Sequence, residues 1–208
     1  MQGCFIMKYI VLVLLAVAPF TGLIAQNYKA EIVKWRKEYK EAFVKEERSP
    51  LKANDTASLR FFETDEKYKI TAKFHATPDS QPFEMPTYSG KTKTFKQYGT
   101  AMFVLNDTVV TLCIYQNIKL LEDKKHKDHL FIPFTDGTSY TETYAGGRYI
   151  DLEVKDIKGD KLVIDFNKAY NPYCAYATGY NCPIPPIENR MSIAIKAGEK
   201  LFGGKHKD

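Results

Sequence analysis

Cys174 and Cys182, separated by seven residues in a proline-rich stretch, are the residues whose type and spacing most directly imply chemistry. In an oxidising compartment such a pair closes a disulfide and restrains an otherwise irregular segment. A metal pair is the alternative, but two thiolates make half of a tetrahedral zinc site, and the spacing is not that of structural zinc. Cys113, His75, His126 or His129 would have to complete it. Cys113 stands between Leu112 and Ile114 in an apolar run, the setting of a small buried hydrophobe. His126 lies within, and His129 just after, Glu122 to Asp128, a wholly ionisable stretch that reads as a solvated turn. No metal site is therefore expected. Phosphate-loop and dinucleotide fingerprints are absent from the sequence, and no cofactor is expected.

Arg148 raises a different question. If its strand alternates, Arg148 shares an apolar face with Ile150, Leu152 and Val154, while Tyr149, Asp151 and Glu153 take the other face. A charge on the apolar face needs a partner, and Asp136, Asp165 and Glu188 are the candidates. The same guanidinium at a cavity mouth would hold a carboxylate or phosphate through two parallel hydrogen bonds. Gly146 and Gly147 just before it would let backbone approach such a ligand closely. Both readings stand on sequence.

Asp165, Asn167, Tyr170 and Asn171 crowd the start of a long loop, and Glu188, Asn189 and Arg190 crowd its end. A Cys174–Cys182 link draws the two clusters together. Asp165 and Glu188 are then the catalytic candidates, an acid and a base if their pKa values are set apart. The asparagines serve equally well as staples for backbone that has no ladder partner. Ser139 and Ser192 lack a nucleophile-elbow context, which disfavours a serine hydrolase. The residues expected to bind a ligand are Arg148, Tyr144, Asn167, Tyr170, Asn171 and Glu188.

The elements that must position these residues follow from periodicity. The chain has 208 residues, 44% hydrophobic and 26% charged, the composition of an ordinary globular domain. Its net charge of +5 is spread without a basic tract, which argues against a nucleic-acid partner. Lys8, the apolar run Tyr9 to Ala18 and the small residue Ala25 read as a signal peptide over residues 1–25. A retained anchor is the alternative, but Pro19, Thr21 and Gly22 interrupt a span already short for a membrane helix. The protein is thus expected to be exported, periplasmic or extracellular, with no stable membrane span after cleavage. Residues 26–208 form one β-rich domain in this reading, whose oligomeric state is open.

Ile32, Trp35, Tyr39 and Phe43 fall at helical spacing and predict an amphipathic helix over 27–47, with Trp35 as its anchor on the sheet. Ser49 and Pro50 end it. Tyr68, Ile70 and Ala72 then alternate with lysines and threonine as a half-buried strand does. Thr100 to Leu105 and Val109 to Tyr115 flank Asn106, Asp107 and Thr108 as a hairpin. Arg148 to Val154 is expected to pair with Lys161 to Phe166, and His129 to Phe134 and Met191 to Ile195 are further short strands. The fold class is mainly β (α+β): an antiparallel barrel or sandwich of about seven to nine strands with an N-terminal amphipathic helix, the sheet and long loop occupying 59–202.

Five blocks in fixed order are more specific: FIPFTD (Phe131 to Asp136), TYAGGRYIDL (Thr143 to Leu152), IDFNKAYNPYCAY (Ile164 to Tyr176), CPIPPIENR (Cys182 to Arg190) and IKAGEK (Ile195 to Lys200). Together they resemble the bacterial and archaeal domain-of-unknown-function family 1684. The resemblance implies no activity, so function rests on the residues. The expected function is binding of a small polar or anionic ligand at one end of the sheet. The alternatives are a hydrolytic enzyme using Asp165 or Glu188, and a structural envelope-interaction module.

Overall fold

The computed structural model describes residues 21–208, with side chains from Gln26 onward. The first twenty residues of the expected signal segment, Lys8 among them, lie outside the described residues. Among the described residues no helix is long and apolar enough to cross a membrane.

The helical periodicity is realised as α1, Thr21–Lys45. Ile32 and Phe43 are its buried anchors, and Tyr28 is buried at its first turns. Complete burial of a side chain such as Ile32 contributes roughly 1.5–3 kcal/mol. Trp35 is only half-buried, so it is not the anchor that the stripe predicts.

Eight antiparallel strands follow: β1 (Lys69–Ala76), β2 (Phe83–Pro86), β3 (Thr92–Leu105), β4 (Thr108–Asn117), β5 (His129–Phe134), β6 (Arg148–Glu153), β7 (Ile157–Lys158) and β8 (Lys161–Asp165). They form one sheet in the order β6-β5-β4-β3-β1-β8-β7, with β2 added on β3. The mainly β, antiparallel reading holds, and the sheet is not closed: β6 and β7 are its two ends. The β3–β4 hairpin turns at Asn106 and Asp107, whose positive φ values of 49° and 58° suit the strand twist. Ile114, Leu130, Ile132, Phe134, Ile150 and Ile164 point into the principal core.

One pairing and one strand differ from expectation. Arg148 to Val154 does not meet Lys161 to Phe166; β6 pairs with β5, and β8 lies between β1 and β7. The reason is local. Asp156 accepts from the Glu153 amide and closes a short 3-10 turn after β6. The chain therefore leaves the strand before Gly159, at φ 62°, turns it back as the two-residue β7–β8 hairpin. The segment Met191 to Ile195 is irregular and joins no ladder, although Met191 and Ile195 pack in the core and the Met191 amide donates to the Thr135 carbonyl.

Candidate functional site

Each residue singled out on sequence has a defined place. Arg148 lies on the core face of β6, as alternation requires, and is 1% exposed. Its Nη2 donates to Asp136 Oδ2 at 2.8 Å and to the Ile195 carbonyl, and Nη1 donates to the carbonyls of Ala197 and Glu199. Asp136 Oδ1 accepts from the amides of Thr138 and Ile195 and from the Thr138 hydroxyl. This is an internal ion pair that ties residues 195–199 to the sheet through both terminal nitrogens, with Nε buried and without a partner among the described residues, and not a guanidinium at a mouth. Gly147, at φ 84°, makes the approach possible, because a Cβ there would collide with the Phe134 carbonyl and Pro185.

The asparagines are staples. Asn167 Nδ2 donates to the Tyr28 hydroxyl and the Asp65 carbonyl, and its Oδ1 accepts from the Asp65 amide. Asn171 Nδ2 donates to the Lys200 carbonyl. Asn189 bonds the amide and carbonyl of Cys113 and the carbonyl of Pro133, bridging β4 and β5 where their ladder narrows to one residue pair. All three are fully buried. Cys174 and Cys182 are joined in a disulfide with Cα atoms 6.3 Å apart. Tyr144 donates to the Cys174 carbonyl and faces Tyr88. Asp165 and Glu188 do not share a site: Glu188 is exposed beside Tyr115 and Met85, while Asp165 accepts from Tyr28 beneath α1.

What the fold leaves open is elsewhere. A cleft of ≈ 1340 Å³ runs between α1 and the side of the sheet formed by β6, β7 and β8, where among the described residues no strand joins the two edges. Trp35 and Tyr39 form its helical wall, their rings stacked 5.2 Å apart at 8°. Tyr39 approaches Tyr170 at 6.0 Å, and the Tyr170 hydroxyl donates to Asp151 Oδ1 at 2.9 Å. His129 Nε2 contacts the same oxygen at 3.1 Å. Of the expected site residues, Tyr170, Asp165 and Cys182 line this cleft; Arg148, Tyr144, Asn167, Asn171 and Glu188 do not.

The backbone of β6 contributes as well. Pro133 faces Tyr149 across the β5–β6 ladder and has no amide hydrogen, so the Tyr149 amide and carbonyl point away from β5, to Tyr170. Two residues on, the Asp151 amide and carbonyl point the same way, along the edge with no strand beside it.

Behind the helical wall is a carboxyl that sequence reasoning missed. Glu199 is fully buried. It accepts from the hydroxyls of Tyr39 (3.0 Å) and Tyr176 (2.7 Å) and from the Asn171 amide (2.9 Å). Burial outweighs these donors and pushes its pKa up to about 7. Burial, then the neighbouring Glu199 charge, holds the Tyr39 and Tyr176 hydroxyls well above their usual range. Trp35 and Asp151 were also missed as site residues. Among the described residues no group of three or more His, Cys, Asp or Glu side chains gathers as metal ligands.

Comparison with known proteins agrees with this picture of fold without assigned chemistry. The family model described as "Protein of unknown function (DUF1684)" matches residues 55–200. The solution NMR structure of an uncharacterized protein from Haloarcula marismortui is similar, with a TM-score of 0.66 and 28% sequence identity, covering 85% of this chain and 95% of that one. No functionally curated protein matches.

Proposed function

Because the chain belongs to the DUF1684 family, which supplies no activity or ligand, we propose from its own geometry that it is an exported binding module for a small polar ligand. The ligand lies in the cleft between α1 and β6. One observation carries this reading: an open cleft combines an aromatic wall with a carboxylate that is already oriented and a strand edge with free hydrogen-bonding groups. Binding sites join apolar walls to a few placed polar groups in this way. Export is supported by the leader pattern and by the disulfide.

The anionic half of the expectation finds less support. Arg148 is consumed by Asp136, Lys168 in the cleft is bonded to Glu31, and the other basic side chains of the lining are balanced by Glu38, Asp151, Asp156 and Asp165. An acid–base pair of Asp165 and Glu188 is likewise not favoured, since they face different hollows.

Amide chemical-shift mapping of the full chain against a library of small polar fragments tests the proposal. Perturbations should gather at Trp35, Asp151 and Tyr170. Perturbations gathered instead around Tyr115 and Glu188, or scattered over the surface, would overturn it.

A further inference from the structure

We infer, building on the cleft reading above, that the ligand is a neutral oligosaccharide, one ring of which lies on Trp35 while its hydroxyls bond Asp151. Trp35 is the single tryptophan of the chain. One face of its indole is taken by Tyr39, and the ring borders the cleft. A sugar ring presents axial C–H groups on one face and hydroxyls at its rim. The C–H face suits the electron-rich face of an aromatic ring, and the rim needs partners that both donate and accept.

Asp151 supplies both. Its Oδ1 is held by Tyr170 and His129, while Oδ2 has no partner among the described residues. The side chain is 51% exposed. With the amide and carbonyl on the free edge of β6, one residue offers two acceptors and one donor within a single turn of strand backbone. Adjacent ring hydroxyls present the complementary set.

Charge decides between ligand classes. Five basic and four acidic side chains line the cleft, so neither sign prevails. An aromatic cage for a quaternary ammonium would need a negative surround. An anion would draw on the basic side chains, of which Lys69 and Lys168 are paired with Glu31, while Arg48, Lys93 and Lys158, without an ion pair among the described residues, come from three separate parts of the chain and share their cleft with four carboxylates. A neutral polyol uses carboxylates and ammonium groups alike. The volume, ≈ 1340 Å³, exceeds the range of roughly 300–1,000 Å³ usual for a drug-sized ligand, and leaves room for several sugar units.

The test titrates the full chain with hexamers of β-1,4-linked glucose, β-1,4-linked mannose and N-acetylglucosamine. Calorimetry reads affinity, and Trp35 emission together with amide shifts reads location. One hexamer should bind saturably and change Trp35 emission. W35A and D151N should each weaken it by about tenfold or more, while Y140A, at an exposed tyrosine away from the cleft, should not. W35F, which keeps the packing on Tyr39, should bind more tightly than W35A, and near-ultraviolet circular dichroism of D151N should match the wild type. Absence of binding by every hexamer, or binding indifferent to W35A and D151N, would overturn the saccharide. Choline or inorganic phosphate moving the cleft amides in that case would leave the cleft as the binding site. Silence from every probe at the cleft would remove both.

Discussion

At the scale of single residues, the charged groups that look most chemical are the ones the fold uses internally. Arg148 and Asp136 are each 1% exposed in their side chains, and between them they bond three carbonyls, two amides and a hydroxyl. Removing one partner strands the other in the interior, which costs about 3–5 kcal/mol. Arg148→Met should therefore lower unfolding free energy in denaturant by that amount and release residues 195–199, seen as faster amide exchange there. An unchanged midpoint would show that the pair is not internal. Glu199 makes a second prediction with a definite sign. Its carboxyl titrates near 4.5 when unfolded and near 7 in the fold. Below 4.5 both states are protonated and the stabilisation is complete; as pH rises through 7 the folded state ionises and loses it. The loss amounts to at most about 3 kcal/mol. Wild type should thus lose stability relative to Glu199→Gln between pH 4.5 and 8 in thermal or denaturant unfolding. A parallel pH profile for the two proteins would contradict the raised pKa.

At the scale of elements, much was legible because it depends on neighbours in sequence. The β3–β4 turn follows from Asn106 and Asp107, which tolerate positive φ, and the side on which Arg148 lies follows from alternation alone. The Cys174–Cys182 pair follows from its spacing together with the expectation of an oxidising compartment. Closing a loop of this length stabilises by roughly 2–3 kcal/mol in the chain-entropy account. Cys174→Ser with Cys182→Ser should lower the unfolding free energy by about that much and loosen the Tyr173 and Tyr180 rings, which meet at 5.2 Å. What was not legible depends on partners distant in sequence. A helical stripe reads the same whether its aromatic residue enters a core or walls a cleft, so periodicity alone makes Trp35 an anchor. Glu199 carries no periodic signal; its burial is imposed by Tyr39 on α1 and by Tyr176 and Asn171 in the loop. The partner of β6 is not legible because the capped turn at Asp156 lies inside what composition shows only as a polar stretch.

At the scale of the whole molecule, the cleft exists because the sheet stops one pairing short of closure. With the two end strands, β6 and β7, joined, β6 would have a ladder on both sides and no groups to offer a ligand. Instead β6 is terminal, and among the described residues the irregular chain bridges its free edge at Tyr170, opposite Tyr149. Helix α1 lies along the opening, anchored by Ile32 and Phe43 and by the Tyr28 bond to Asp165, and leaves Trp35 in the wall of the cleft. This architecture predicts a residue-by-residue alternation in hydrogen exchange. Ile150 and Leu152 donate toward β5 and belong to the core ladder, and Tyr149 is bonded to Tyr170. Asp151 stands between them with its amide on the open edge. Its amide should exchange on the order of a hundredfold faster than those of Ile150 and Leu152 in the free protein, since only global or sub-global opening exposes the paired ones. Exchange at Asp151 as slow as at its neighbours would mean that the seam is closed and that the cleft has no strand edge to present. Slowing at Asp151 alone on saturation with a hexamer would place the ligand on that edge, because a bound hydroxyl then takes the position that the missing strand would occupy.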